Sequence, residues 1–171
     1  MADVELVKHN EAWSRQYIKE KKSITQAIPD SFIDIEHIGS TVIPEIKAKP
    51  IIDIMAGIAE LEEYVHLVAP LEKAGYVYIP KQEFTDRKFF LKRIAGNPDI
   101  HLHICEMNGT EWNDKLFFRD YLRSNRDKRS AYEVLKMRLA NEYRNDRSSY
   151  TKAKESFIHD VLRMKRQHGL G

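Results

Sequence analysis

A lone carboxylate interrupts an apolar run at Ile51-Ile52-Asp53-Ile54-Met55. A Gly39-Ser40-Thr41 turn precedes it, and two imidazoles stand two residues apart farther on, in His101-Leu102-His103-Ile104. An acid buried in a strand without water costs several kcal/mol unless it is paired. Asp53 is therefore expected at the mouth of a cleft, or against a fixed cation: Lys47, Lys49, an arginine of the last third, or a metal. A salt-bridged structural acid is the alternative. In the turn, Gly39 permits close backbone approach, while Ser40 and Thr41 offer hydroxyls and backbone N–H groups to anionic oxygens. An ordinary loop reads the same way. Strand alternation puts His101 and His103 on one face, where they can ligate one metal or bind phosphate, or simply face solvent. Glu36-His37 adds an acid and another imidazole. Arg87-Lys88 and Arg119-Asp120 are further charged groups that can reach the same face.

These residues need elements to hold them. Trp13, Tyr17, Ile24 and Ile28 recur at helical spacing, which predicts a helix over Asn10 to Ile28, stopped by Pro29-Asp30-Ser31. Phe32 to Ile38 is rich in β-formers and predicts a strand. Pro50 suits the first residue of the next strand, Ile51 to Ile58, whose near-continuous Ile and Met predict burial on both faces. A second helix is expected over Leu61 to Lys73, ended by Gly75, and then a short strand from Tyr76 to Ile79. Phe84 to Ile94, the Ala95–Asp99 turn and Ile100 to Cys105 read as a hairpin. From Thr110 the pattern is helical. One helix ends within Asp120 to Asn125. Another runs over Asp127 to Asn145, with Tyr132, Leu135, Leu139 and Tyr143 on one side. Ser148 reads as the cap of a last helix packed through Tyr150, Phe157, Val161 and Leu162. The fold class expected is α/β (α+β): a mixed sheet flanked by helices over about residues 1–107, then a helical part over about 110–168, in one domain of residues 1–171.

Composition narrows the function classes. The 171 residues suffice for one domain with a real core. The net charge of +2 carries no strong nucleic-acid or membrane signal, although residues 1–100 hold −3 and residues 101–171 hold +5. That positive half can meet an anion, or it can be solvated helix faces. The single Cys105 excludes a disulfide framework and a cysteine-rich zinc site. No apolar stretch approaches a membrane span and no signal pattern is present, so the expected location is cytoplasmic. The P-loop, the dinucleotide fingerprint and the Gly-x-Ser-x-Gly elbow are all missing.

The segment IEHIGSTVIPEIKAKPIIDIMAGI, followed by HLHICEMNGTEWNDKLFFRDYLRSN, YEVLKMRLA and DRSSYTKAKESFIHDVL, resembles the GrpB family, a small domain of the nucleotidyltransferase superfamily. The resemblance runs from about Trp13 to Leu162. It implies a nucleotidyltransferase-like core with a C-terminal helical part. In that superfamily a Gly-Ser turn binds the triphosphate, and two acids one residue apart on the next strand bind Mg²⁺. A third acid follows on a later strand. Carried over, the turn is Gly39-Ser40 and the acid is Asp53. Ile51 and Met55 occupy the partner positions, and His101 and His103 stand where the third acid belongs. The implied ligands are a nucleoside triphosphate and Mg²⁺ or Mn²⁺. Asp53 and His103 would be catalytic, with His101 as a further metal ligand. Gly39, Ser40, Thr41, Lys49, Arg119, Tyr150 and Lys154 would face the phosphates. Three readings follow: a nucleotidyltransferase-like enzyme with an unassigned acceptor; a non-catalytic module binding a nucleotide or small anion; and a His/Asp site for Zn²⁺ or Mn²⁺.

Overall fold

The computed structural model describes residues 3–28, 30–31 and 34–167. Five strands form one mixed sheet in the order β1-β2-β5-β4-β3. They are β1 (Asp34–Ile38), β2 (Ile51–Ile58), β3 (Val77–Tyr78), β4 (Arg87–Lys92) and β5 (Asp99–Glu106). Only β2 and β5 run parallel; the other neighbours are antiparallel. The helices are α1 (Ala12–Ala27), α2 (Val68–Lys73), α3 (Thr110–Ser124), α4 (Arg126–Glu142), α5 (Arg147–Ala153) and α6 (Glu155–Gln167). This is the nucleotidyltransferase-like mixed sheet with a helical C-terminal part that the sequence leads one to expect. None of the helices among the described residues is long and apolar enough to cross a membrane.

The two sheet faces are covered differently. On one, Ile52, Ile54, Ile100, Leu102, Ile104 and Phe90 are fully buried under Trp13 and Ile24 of α1 and Leu71 of α2. Each such side chain contributes about 1.5–3 kcal/mol by leaving water. The opposite face is closed at only one end, where Trp112 of α3 packs on Ile38, Met55 and Cys105. A methyl group on Gly57 would come within 3.0 Å of the Trp112 ring, so the missing side chain lets α3 approach this closely. The middle of that face, with Asp53, His101 and His103, carries no cluster of buried apolar side chains among the described residues. The long β1–β2 connection supplies Ile43 and Ile46 to a separate cluster with Leu122 and Tyr132, which ties α3 and α4 to the sheet. Val4, Leu139 and Tyr150 do the same for the N-terminal segment, α4 and α5.

Two expectations are corrected. Residues 61–73 are not one helix: a 3₁₀ segment, Leu61–His66, precedes a short α2. Pro70 has no N–H to give to an α-helical ladder and is tolerated only in a first turn, so α2 begins just before it. Gly75, with φ +92°, does end α2, its N–H donating to the Glu72 carbonyl at 2.9 Å. The last helix is two, and the first is capped by Asp146 rather than Ser148; the Asp146 carboxylate accepts from the Ser149 N–H at 3.0 Å and its hydroxyl at 2.6 Å. The first strand begins at Asp34 among the described residues; Pro29, Phe32 and Ile33 lie outside them.

The apolar layer contains one polar network. Glu20 of α1, 2% exposed, accepts from the Tyr76 hydroxyl at 2.8 Å and from Lys92 Nζ at 2.9 Å. Glu20→Ala would leave the Lys92 ammonium without its counter-charge. It is expected to cost roughly 3–5 kcal/mol, read as a lower urea midpoint, with much of the loss recovered in Glu20→Leu/Lys92→Met. A single mutant within 1 kcal/mol of wild type would contradict this account (~0–1 kcal/mol is the range for exposed pairs).

Candidate functional site

The register of β2 on β5 sets Asp53 beside His101 and Met55 beside His103. All these side chains therefore point to the partly open face. Both imidazoles reach the same carboxylate oxygen: His101 Nδ1 and His103 Nε2 each lie 3.6 Å from Asp53 Oδ1. The three side chains are 28%, 27% and 16% exposed for Asp53, His101 and His103, so the group is sheltered yet open to solvent. Phe89 packs against both rings at 5.1 and 5.3 Å. Burial acts to raise the Asp53 pKa, but the His103 contact and the nearby His101 outweigh it, and the carboxyl stays below its usual range. Burial also lowers the His101 pKa despite the Asp53 charge. An ionised acid beside a neutral imidazole is the ligating form of such a set.

The turn before β2 is built around this acid. Gly39 has φ +76°, a region that L side chains rarely adopt, and a Cβ there would fall 2.5 Å from Asp53 Oδ2. The glycine thus lets the backbone pass directly over the carboxylate. Ser40 opens a short 3₁₀ turn, Ser40–Val42, and its side chain interacts with the Tyr132 hydroxyl. Thr41 behaves differently from the expectation. It is 1% exposed, and its hydroxyl lies 3.0 Å from His37 Nε2, leaving its side chain no surface for a ligand. His37 belongs to the other sheet face, stacked on Tyr17 at 4.8 Å, and burial lowers its pKa to about 4.

Beside the turn lies a set of lysines around two tyrosine rings. Lys49 and Lys154 stand 5.1 and 4.6 Å from the Tyr150 ring centre, and Lys136 stands 5.0 Å from that of Tyr132. No carboxylate of the described residues lies within ion-pair distance of any of the three. Burial first, then neighbouring positive charges, lowers their pKa values: to about 8 for Lys49, with Lys154 and Arg147 nearby; to about 7 for Lys136, with Lys154 and Lys49; and to about 8 for Lys154, with Lys115. The Asp53 charge acts on both Lys49 and Lys154 in the opposite sense. Helix α4 also grips the chain that carries Lys49: the Lys47 N–H donates to Glu133 Oε1 at 2.8 Å, and Lys136 Nζ donates to the Lys47 carbonyl at 2.5 Å. Cations gathered without carboxylate partners, one buried and two half-buried, are the kind of grouping an anion site uses.

Of the residues singled out from sequence, the fold thus gathers Gly39, Ser40, Lys49, Asp53, His101, His103, Tyr150 and Lys154. It does not free Arg119. Its guanidinium donates to Glu36 at 2.5 Å, to Asp120 at 2.7 Å and to the His37 carbonyl at 3.1 Å, so it braces α3 against β1. Glu36 is used up in the same contact. Arg87 shares the His103 face but pairs with Glu111 at 3.1 Å, and Lys88 lies against Tyr64. Sequence reasoning missed Tyr132, Lys136 and Lys115, whose charge also acts on Asp53 and Lys154. A signal existed for Lys136: four residues after Tyr132 and three before Leu139, it is a charge on the apolar stripe of α4, the same anomaly as Asp53 in β2.

The sequence model of the family described as GrpB protein matches residues 3–164. The chain belongs to the GrpB family. Glutamate-rich protein GrpB of Alkalihalophilus pseudofirmus is 37% identical over 164 residues, covering 94% of each chain. A UPF0157 protein of Pseudomonas aeruginosa is 34% identical over 161 residues, covering 93% of this chain and 66% of the relative. The crystal structure of the conserved protein GrpB from Enterococcus faecalis superposes with a TM-score of 0.86 at 28% identity, over 98% of this chain and all of that one. The GrpB relationship therefore spans both the sheet that carries Asp53 and the helices that carry Lys136 and Lys154.

The donors around Asp53 can be tested against a metal. One oxygen and two imidazole nitrogens lie within 4.8 Å of one another. That nitrogen-rich set suits Mn²⁺ or Zn²⁺ better than Mg²⁺, which prefers oxygen ligands. Ile51 and Met55, the same-face neighbours along β2, add no ligand.

Two outcomes follow. Gly39→Ala is expected to cost roughly 1–3 kcal/mol through its backbone angle and to push the Asp53 carboxylate aside, seen as shifted His101 and His103 imidazole NMR signals; unchanged signals would contradict the close approach. The second concerns pH. The unfolded chain keeps its lysine protons to about pH 10, while the folded Lys49, Lys136 and Lys154 release theirs near 7 to 8. The unfolded state binds more protons in between, so stability rises with pH from about 7. Above about pH 9 the trend is opposed, because Cys105 ionises when unfolded but burial pushes its folded pKa up to about 12. Urea midpoints of the free protein should therefore climb from pH 7 to 9, and climb less in Lys136→Met. Equal slopes in the two proteins would refute the assignment.

Proposed function

We propose that this chain is a nucleotidyltransferase-like protein that holds the phosphates of a nucleoside triphosphate in the Lys49–Lys154–Tyr150 pocket, beside a divalent metal on Asp53, His101 and His103. The observation that carries the reading is the set of three lysines, Lys136 buried and Lys49 and Lys154 half-buried, that have no carboxylate within ion-pair distance among the described residues, with Lys49 and Lys154 in the field of Asp53. Such a pocket is costly when empty and is compensated by several negative charges at once. Lys49 and Lys154 would neutralise phosphate oxygens, with Ser40 and the backbone of its turn as neutral donors. Lys136 and Glu133 would hold the Lys47 peptide so that Lys49 keeps its place. The Tyr150 ring, 1% exposed, closes the inner wall. Asp53 repels phosphate unless a cation lies between them, and a metal bound there would offset that charge and polarise the phosphorus–oxygen bonds. The reading treats residues 1–171 as one functional domain, because the pocket takes residues from both the sheet and the C-terminal helices.

A second reading has its own observation. With Ile51 and Met55 flanking Asp53, the metal set contains one carboxylate, which favours a module that binds a nucleotide without transferring it. Release of pyrophosphate or phosphate separates the two readings, since only transfer or hydrolysis produces it.

The test is a thermal-shift panel of ATP, GTP, CTP and UTP with Mn²⁺, Zn²⁺, Mg²⁺ or a chelator. A ligand at 100 times its Kd stabilises by roughly 2.7 kcal/mol, which raises the melting temperature by roughly 5–10 °C in a chain of this size. Lys154→Ala should abolish the nucleotide response and retain the metal response. Asp53→Asn should lose the metal response while melting close to wild type, because no lysine or arginine of the described residues lies within ion-pair distance of Asp53 and its help to Lys49 and Lys154 acts only through space. Ser40→Ala should weaken nucleotide binding by roughly 1.5–3 kcal/mol, one hydrogen bond to a charged group. A panel with no nucleotide response in the wild type, with or without metal, refutes the proposal.

A further inference from the structure

A second opening adjoins this pocket and is chemically unlike it. A groove of about 1150 Å³ runs between the N-terminal segment, the start of α1, the start of β2, the β4–β5 turn and Arg147 at the start of α5. That volume exceeds what a single phosphate or metal needs and suits a small organic molecule. Two features join it to the site. Lys49 lines the groove and also stands over Tyr150 in the lysine pocket. Ile51 and Asp99, also lining it, are the register pair two residues before Asp53 and His101, about 7 Å away along the strands.

The groove has polar groups that nothing in the described structure satisfies. His9, whose ring meets Trp13 edge-on at 5.4 Å, lines it with a buried Nδ1 that has no hydrogen-bond partner. A buried unsatisfied nitrogen calls for a ligand or water. Asp3, Glu5 and Glu11 supply acids, and Lys8, Arg15 and Arg147 supply bases; among the described residues none of the six makes an ion pair. Free charges of both signs around one groove suit a molecule that carries both signs. They do not suit a nucleobase, which prefers exposed aromatic faces, and Trp13 is only 3% exposed.

We propose that the groove binds a small zwitterion, an amino acid or a compound of similar size bearing an ammonium and a carboxylate, with its anionic end toward Lys49 and Arg147 and its ammonium toward Asp3 and Glu5. Its role as the acceptor of the neighbouring site rests on the nucleotide-binding reading above; its binding does not.

The test uses the full chain and a panel of free amino acids at millimolar concentration, with ethanolamine and acetate as singly charged controls. At several times Kd a bound zwitterion raises the melting temperature by about 2 °C or more. Neither control should do so. Glu5→Gln and Arg147→Gln, both at exposed positions, should lose the amino-acid response; His9→Leu should weaken it, and all three should keep the nucleotide response. No response to any amino acid, an equal response to ethanolamine or acetate, or an undiminished response in Glu5→Gln and Arg147→Gln overturns the proposal. Loss of the nucleotide response in these variants also overturns it, and assigns the groove to the nucleoside. A protein that responds to amino acids and to no nucleotide would keep the groove and discard the nucleotide pocket.

Discussion

A slip of β2 by one residue on β5 would turn Asp53 into the layer beneath α1, away from His101 and His103, and expel Ile52 and Ile54 to the other face. The parallel register is therefore the constraint on which the rest depends. It is enforced by the apolar side. Six fully buried side chains on three adjacent strands lock the pairing, each contributing about 1.5–3 kcal/mol. The acid and the imidazoles do not hold the sheet in place; they use a register that the isoleucines hold for them. Buried isoleucines and an ionised carboxylate can alternate along one strand because each sees only its own face.

Packing on the other face is asymmetric, and the asymmetry makes the site. Trp112 reaches the sheet over Gly57 and closes the end of the face near Met55 and Cys105. Arg119 then braces α3 on β1 through Glu36 and the His37 carbonyl. The helices that follow are tied down through Ile43, Ile46 and Val4, away from Asp53. The result is a wall of α4 and α5 beside the open half of the face, carrying Tyr132, Lys136, Tyr150 and Lys154. Cys105, under Trp112 and 1% exposed, is part of that closed end and has no access to the cleft.

Electrostatically the two halves of the site are unfinished in opposite senses. Among the described residues, the carboxylate of Asp53 has imidazoles for company and no fixed cation within ion-pair distance, while the lysines have aromatic faces and no carboxylate within that distance. Had stability alone been selected, the simplest arrangement would pair these charges directly. They are instead held apart on different elements, Asp53 on the sheet and Lys154 between α5 and α6, each lowering the other's cost only through space. A cation and a polyanion placed between them would complete both, which is why the proposed ligands are a metal and a phosphate chain together.

The sequence by itself determined the strand bearing Asp53, from Ile51 to Ile58, the hairpin that brings up His101 and His103, the glycine turn, and the mainly helical character of the described residues from Thr110 to Gln167. Each is a local pattern: period-two or continuous apolar runs, turn residues, and helical spacing, all decided within about ten residues of chain. It was also enough to mark Asp53 as anomalous, because a charge in an apolar run is visible without a fold. The tertiary structure alone decided which charges stay free. Arg119 and Lys154 look equally available as letters, yet Arg119 finds Glu36, 83 residues away, while Lys154 stands over a tyrosine ring with no ion-pair partner among the described residues. Thr41 and Ser40 are neighbours in one turn, yet one hydroxyl is buried against His37 and the other faces Tyr132. Availability depends on what a side chain meets across the fold, and those meetings are set by packing between elements far apart in the chain, which no local pattern encodes.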